Sequence, residues 1–570
     1  MKILGISCFY HDSAVAIIDD GKIIAAAEEE RFSRIKHDSG FPTHAIKFCL
    51  DKAKIKGSEL DWVVFYEKPF LKFERITLSS LATVPYAREM FVNGYRVWLK
   101  DKLWIKSLIA KKVGIDESKI LFTQHHISHA AVAYYTSQFN SSAILTCDGV
   151  GEWTTTSWGR GKGNKITLEK EIKFPHSLGL FYSAFTQFLG FQINEGEFKV
   201  MGLAPYGKPR FIEKVEKLIK QSSDGSFHLD LSYFNFHLSD KQSFSQKFVD
   251  LFGIKPLNPQ RSDEVIPIYA DIAASAQKVL DEKLLVIARN VREKTEEENL
   301  CYAGGVSLNG VTNWKIFKEA GFKNIFIHPA AGDSGGALGA ALYTYHHVFN
   351  KPKIDSFTTP YLGQENSEED VKKFIEINGI KADKYSDKEF VEKVSSLLYQ
   401  KKVVGWVRGR FEWGPRALGA RSILADPRDK KMKDLVNAKI KFREAFRPFA
   451  PVCLYEDGDK YFEVGKEGKN QQPLQYMIAV VPVRPEWQSR LGAITHVDGT
   501  ARPQFIKREV NPMYYDVVKA FGKKAGINVL LNTSFNLKGQ PIVNTCQEAY
   551  DTFMKSGIDA LVLGNYLIEK

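Results

Sequence analysis

Lys2 to Cys8 and Ser13 to Ile18 are almost continuously apolar, Asp19-Asp20-Gly21 supplies turn residues, and Lys22 to Ala27 is apolar again before Glu28-Glu29-Glu30-Arg31. Apolar runs of that length between turn residues predict three strands. The figure returns further on. Ser142 to Cys147 is apolar, Asp148-Gly149-Val150-Gly151 is a turn, Thr154 to Gly159 is strand-like, and Gly161-Lys162-Gly163-Asn164 leads into another strand. Two copies separated by helical sequence predict an internal duplication. A third strand signal, Asn299 to Ala303, runs into Gly304-Gly305 and then a helix. The polar, proline-bearing stretch from Lys351 to Glu369 predicts a boundary, giving domains 1–355 and 356–570. The second domain carries a helical pattern over Asp387 to Lys401, a strand at Val403 to Val407 and a buried strand at Ile527 to Leu531. The fold class expected is α/β.

Composition narrows this picture. A chain of 570 residues exceeds one ordinary domain. No run approaches the roughly 20 consecutive apolar residues of a membrane span. The N-terminus reaches His11, Asp12, Asp19 and Asp20 too soon for a signal peptide. Six cysteines lie scattered with no C-x-x-C pair, which excludes a zinc ribbon or disulfide framework and makes the cytoplasm the expected compartment. The net charge of +12 fits nucleic acid or anionic small substrates, but the lysines form no basic tail. Arg96 to Lys106 is basic and aromatic, and reads as an amphipathic core helix or as a membrane-surface or tRNA contact. Gly202-Leu203-Ala204-Pro205-Tyr206-Gly207-Lys208 has phosphate-loop spacing, but Pro209 offers no hydroxyl for Mg²⁺, so the stretch reads as an ordinary loop.

The chemistry concentrates in Gln124-His125-His126-Ile127-Ser128-His129-Ala130. On a helix, His125 and His129 share one face with Cβ atoms roughly 5–6 Å apart, while His126 points elsewhere. Asp148 follows the strand ending at Cys147, and Asp333 lies in the Gly-rich Ala331-Gly332-Asp333-Ser334-Gly335-Gly336. Two imidazoles and two carboxylates suit iron, manganese or zinc. Gly304 and Gly305 allow close backbone approach to a ligand ahead of a helix N-terminus.

These stretches occur beside longer motifs. They are Phe9-Tyr10-His11-Asp12-Ser13-Ala14, Glu29-Glu30-Arg31-Phe32-Ser33-Arg34, Gly196-Glu197-Phe198-Lys199-Val200-Met201-Gly202, Gly414-Pro415-Arg416-Ala417-Leu418-Gly419, His496-Val497-Asp498-Gly499-Thr500-Ala501-Arg502 and Asn532-Thr533-Ser534-Phe535-Asn536. Together they resemble the O-carbamoyltransferase family of the tobramycin, cephalosporin and nodulation-factor enzymes, over essentially the whole chain. The resemblance implies a duplicated actin, Hsp70 and sugar-kinase-like N-terminal domain related to threonylcarbamoyl transferases, then a YrdC-like α/β domain. It implies that carbamoyl phosphate and Mg²⁺-ATP give carbamoyl-adenylate and pyrophosphate in the second domain. The carbamoyl group then passes to a hydroxyl of a small-molecule or sugar acceptor at the metal site of the first, with AMP released and Fe²⁺ the metal most expected. A homodimer is expected by the same analogy.

Carried over by position, Arg416, Lys441, Arg447, Arg502, Asn532, Ser534 and Asn536 bind ATP and carbamoyl phosphate, with Arg443 nearby. His11 and Lys36 act at the transfer step, one as base and the other on the adenylate phosphate or carbonyl. Glu197, Lys199, Gly304, Gly305 and Asn309 touch the adenylate; for Glu197 and Lys199 an ion pair across a turn is the alternative. Alone, His11 would be a turn histidine and Lys36 a surface lysine. Two other readings stand beside this one: a tRNA threonylcarbamoyl-type transferase, and a nucleotide-binding switch of the actin or Hsp70 type. The latter needs neither His125 and His129 nor a second phosphate-binding domain.

Overall fold

The computed structural model describes all residues except 85, 88–91, 93, 96, 97, 99–101 and 356. The chain forms two compact units, Met1–Glu29 with Ser39–Phe357, and Glu30–Asp38 with Thr358–Lys570.

The first unit contains two five-stranded sheets of the same design. One is built from β1 (Lys2–Ser7), β2 (Ala14–Asp19), β3 (Lys22–Glu28), β4 (Trp62–Phe65) and β5 (Ile120–Phe122), in the order β3-β2-β1-β4-β5. β1 to β3 form an antiparallel meander and β4 and β5 continue it in parallel. The other uses β6 (Ser141–Cys147), β7 (Thr154–Lys162), β8 (Lys165–Lys173), β9 (Asn299–Ala303) and β10 (Asn324–Phe326), in the order β8-β7-β6-β9-β10. The pairing senses repeat: antiparallel across β6, β7 and β8, parallel across β6, β9 and β10. This identity of order and sense is an internal duplication of the kind the sequence pattern predicts. Central strands β1 and β6 are buried on both faces, so they read as continuous apolar runs.

Five helices of this unit bear on function: α1 (Pro69–Ala82), α2 (His125–Thr136), α3 (Pro267–Thr295), α4 (Gly310–Glu319) and α5 (Asp333–Tyr343). α2 and α5 pack against each other, and α5 also covers β1. The approach is close enough that a Cβ on Gly339 would lie 1.9 Å from the Ser128 carbonyl oxygen. Ser128 is anchored in turn, its hydroxyl donating to the Tyr66 carbonyl at 2.6 Å.

Two expectations change. Gly202 and Leu203 close a short helix, Glu197–Leu203, and Ala204–Tyr206 make one 3-10 turn, so the stretch read as a loop is largely helical. Its tight turn follows from packing, because a Cβ on Gly207 would meet the Ala270 backbone of α3 at 2.1 Å. Of the basic segment from Arg96 to Lys106, residues 96, 97 and 99–101 lie outside the described residues. Its remainder holds a 3-10 turn, Lys102–Trp104, and the start of a short helix, Ile105–Ile109.

The second unit is a mixed eight-stranded sheet. Its strands are β11 (Asp383–Lys384), β12 (Val404–Val407), β13 (Arg421–Ala425), β14 (Ala450–Leu454), β15 (Gln504–Ile506), β16 (Val529–Ser534), β17 (Ala560–Leu563) and β18 (Tyr566–Glu569). The order is β11-β18-β17-β12-β13-β16-β14-β15. Helices α6 (Asp387–Tyr399) and α7 (Pro512–Ala525) pack together beside it. The segment Glu30–Asp38 belongs here and not with the residues on either side of it, which a single boundary near 355 does not allow for. Backbone carbonyls hold it: Arg31 donates to Gly414 at 3.2 Å, and Arg34 to Ile542 and Pro541 at 2.7 and 2.9 Å.

Replacing Gly339 with Val should destabilise the protein by about 3 kcal/mol, the upper range for overpacking a close contact. Urea unfolding of both proteins measures it, and an unchanged midpoint would contradict the close approach of α2 and α5.

Candidate functional site

In the first unit, α2 begins at His125 directly after Gln124, whose backbone is extended. The His125 N–H donates to both oxygens of Glu152, at 3.0 and 3.1 Å. A carboxylate there satisfies an orphan donor and complements the helix dipole. His125 and His129 then face one point. Their Nε2 atoms are 3.0 Å apart, and lie 2.9 and 3.2 Å from Asp148 Oδ2. Asp333 Oδ1, at the first residue of α5, is 3.6 and 3.5 Å from the same two nitrogens. All four residues are buried, and their ligand atoms lie within 4.8 Å of one another.

This set fits a divalent cation. Both Nδ1 atoms and Asp333 Oδ2 are buried without a hydrogen-bond partner, so nothing in the protein takes up their polar capacity. The nearest support for a ring nitrogen is Glu67 Oε2, 4.0 Å from His125 Nδ1, the position in which a carboxylate commonly orients a ligating imidazole. Burial raises the carboxyls, but the histidines hold Asp148 well below the usual range and Asp333 below it. Burial lowers His129, yet Asp148 and Asp333 carry it up to about 9. His126 stands apart as expected. Its Nδ1 meets Thr146 Oγ1 at 2.7 Å, and burial beside two other imidazoles keeps it neutral.

The double glycine serves this centre. Gly304 has φ +92°, and a Cβ there would lie 2.2 Å from the Cys147 carbonyl. That conformation aims the Gly305 N–H at Asp148 Oδ1, 3.1 Å away. The backbone approach read from the sequence is therefore made to a metal-ligand carboxylate. His11 lies in the turn after β1, with Nδ1 2.9 Å from Asp12 Oδ2 and Nε2 4.0 Å from Asp333 Oδ2. Burial lowers it, but Asp333, Asp12 and Asp148 raise it to about 9.

The remaining residues expected at the adenylate have visible structural partners. Glu197 accepts from Ser183 Oγ at 2.8 Å and the Asn194 N–H at 3.1 Å, and Lys199 lies 5.6 Å over the Phe191 ring. Asn309 caps α4 and exchanges hydrogen bonds with Gln277 at 3.0 and 3.2 Å.

In the second unit, the sequence-predicted cations converge. Lys441 ends a helical turn, and Phe442 after it has φ +46°. Lys441 Nζ donates to Ser534 Oγ at 3.1 Å and to Asn536 Oδ1 at 2.7 Å, just beyond β16. Burial, Arg443, Arg447 and Lys36 push it well below the ordinary lysine range. Burial and Arg447 bring Arg416 down to about 10, and burial with Arg416, Arg443 and Arg447 lowers Arg502 strongly. Asn532 ties β16 to the Arg416 loop, donating to the Ala417 carbonyl at 3.1 Å. The carboxylate paired with this group is Glu444, 3.3 Å from Arg447. Crowded like charges of this kind suit a polyphosphate.

Lys36 lies in the segment Glu30–Asp38 that belongs with the second unit, and its charge acts on Lys441. Two contributors, Lys433 and Glu412, escaped the sequence reading. Lys433 shares the field of these cations with His496 of the quoted motif; burial, Arg502 and Lys433 lower His496 to about 4 against the pull of Asp498. Glu412 accepts from the N–H groups of Leu418, Ala420 and Arg421 at 2.6, 3.3 and 3.3 Å, which fixes the loop carrying Arg416. A buried Glu next to Gly414-Pro415 was the only available signal.

Metal titration tests the first centre. A divalent ion at about 100 times its dissociation constant should add about 2.7 kcal/mol of stability. Chelation should reverse that gain, and the double variant His125→Ala, His129→Ala should show neither the gain nor stoichiometric metal by elemental analysis.

The chain matches the family models described as Carbamoyltransferase N-terminus, over residues 2–342, and Carbamoyltransferase C-terminus, over 395–570. It is 44% identical to an uncharacterized protein of Synechocystis sp., covering 100% of this chain and 96% of the other. It is 36% identical to nodulation protein NolNO of Sinorhizobium fredii, over 99% of this chain and 79% of that protein. It is 27% identical to the 3'-hydroxymethylcephem-O-carbamoyltransferase of Amycolatopsis lactamdurans, over 97% of each. With both halves matched, the chain belongs to the carbamoyltransferase family.

Proposed function

We propose that this enzyme is an ATP-dependent O-carbamoyltransferase working in two steps. The observation that carries the reading is the pairing of chemically opposite sites in one chain: a crowded, half-buried cation cluster in one unit and a buried His and Asp cluster in the other.

In the second unit, Arg416, Lys441, Arg443, Arg447 and Arg502 supply positive charge for ATP and carbamoyl phosphate. Water releases carbamate and phosphate from carbamoyl phosphate. A carbamate oxygen then attacks the α-phosphorus of ATP, forming carbamoyl-adenylate as pyrophosphate leaves. Magnesium accompanies the ATP. Lys441 begins held by Ser534 and Asn536, so its ammonium is already oriented when the polyphosphate arrives.

In the first unit, the acceptor hydroxyl attacks the carbamoyl carbon, AMP leaves, and the hydroxyl proton passes to His11 Nε2. His125, His129, Asp148 and Asp333 would hold a divalent ion, iron, manganese or zinc, that supplies charge against the adenylate phosphate and offsets the carboxylates around His11. Asp12, bonded to His11 Nδ1, holds the ring with Nε2 on the side of Asp333 Oδ2, 4.0 Å away. The acceptor is an alcohol on a small molecule or sugar, the class to which the cephem named for the Amycolatopsis relative belongs.

Pyrophosphate release should require both ATP and carbamoyl phosphate. Lys441→Ala or Arg447→Ala should reduce it by about a hundredfold or more, the scale for losing one charge-stabilising group. His11→Ala should leave it intact. Conversion of ATP to ADP without carbamoyl phosphate would sink the reading. Dependence on threonine and bicarbonate would replace it with threonylcarbamoyl chemistry.

A further inference from the structure

Helix α1 buries two of its three charged residues, Lys72 and Arg75, at 6% and 8% exposure, leaves Glu74 exposed, and exposes Phe70, Leu78 and Leu81 at 72%, 48% and 56%. Lys72 and Arg75 are three apart and share one face. Lys72 has an internal reason to be buried, since its Nζ bonds Glu67 Oε2 at 2.6 Å. Arg75 has none of that kind: among the described residues it forms no hydrogen bond and no ion pair, and its guanidinium lies 5.1 Å over the Phe174 ring. The two carboxylates in its field are engaged elsewhere. Glu67 holds Lys72, and Glu152 accepts from the backbone N–H groups of Lys68 and His125. A guanidinium buried with no ion-pair partner among the described residues carries a cost of several kcal/mol, which a bound anion would offset.

The surroundings place that anion at the transfer step. Lys72 lies 5.2 Å over the Tyr10 ring, and Tyr10 is 4.6 Å from the His11 ring. Phe174, under Arg75, donates its N–H to the Trp153 carbonyl, next to the Glu152 that holds the start of α2. We propose that Arg75 binds the nucleotide phosphate in the first unit, gripping phosphate oxygens of the adenylate and of the AMP that leaves. This rests on the two-step reading above and names the protein cation that acts on the phosphate in the first unit. A planar fork suits phosphate better than the point charge of a lysine. Burial lowers Arg75 to about 10, which leaves it protonated at neutral pH, while Tyr10, Glu67 and Glu152 favour its charge.

Photolabelling of the full-length protein with 8-azido-AMP, followed by peptide mapping, resolves the two units. Label within residues 39–357 should be protected by AMP at lower concentration than by adenosine. Arg75→Gln should raise the AMP concentration for half-protection tenfold or more, leave adenosine protection unchanged, and be partly rescued in Arg75→Lys. Label confined to the second unit, equal protection by AMP and adenosine, or an unchanged AMP requirement in Arg75→Gln would overturn the proposal. So would equal loss of AMP and adenosine protection, the mark of a merely structural role. Failure of the two-step reading is a separate outcome: it appears as missing pyrophosphate release with Arg75-dependent AMP protection intact.

Discussion

The metal centre depends on how closely α2 and α5 approach. His129 follows Ser128, and the Ser128 carbonyl occupies the space that any side chain at Gly339 would need. α5 begins at Asp333, so the contact that seats the helices also sets the distance between the imidazoles and this carboxylate. Asp148 joins from the end of β6, aimed by the Gly305 N–H. The four residues thus come from three elements, two of them from α2, and close backbone contacts hold α2 against α5 and the Gly304 turn against the end of β6. Burying two carboxylates without neutralisation is costly. The histidines supply part of the compensation, and a divalent ion would complete it.

The second unit faces the same problem with the sign reversed. Desolvation and neighbouring positive charge depress Arg416, Lys441, Arg443 and Arg502, Arg447 contributing to each, and Glu444 lies 3.3 Å from Arg447. Backbone carbonyls and amides, chiefly at Ser534 and Asn536, hold the lysine without neutralising it. A polyphosphate would complete such a cluster as a divalent ion would complete the first. Both sites are therefore organised before their ligands arrive, which lowers the reorganisation required during reaction.

The duplication was legible because β1 and β6 are buried on both faces and followed by hairpins, so apolar runs and turn residues recur in the same order. The histidine pair was legible because helical spacing alone brings His125 and His129 together. Asp148 and Asp333 could be suspected from their Gly-rich turns, but their meeting is a property of the fold. Lys36 shows where such reasoning runs out. Residues 30–38 have no periodic pattern, and they are held by carbonyls at 414, 541 and 542 that no local signal connects to them. Lys433 was hidden differently: in Lys430-Lys431-Met432-Lys433 it reads as one more solvated charge.

Arg75 extends this point to the use of hydrophobic pattern itself. Amphipathic reading assumes that the apolar face of a helix turns inward. That assumption fails where a ligand contributes to the interior, because a charged side chain then gains more by facing the ligand than it loses on burial. In α1 the inversion involves two residues on one face. The partner of one is visible as Glu67, so the missing partner of the other becomes a specific question about what the site holds. The second unit crowds like charges in a comparable way, with Lys441 buried beside Arg443 and Arg447. In both units, crowded and buried charge points to a ligand more directly than any motif does.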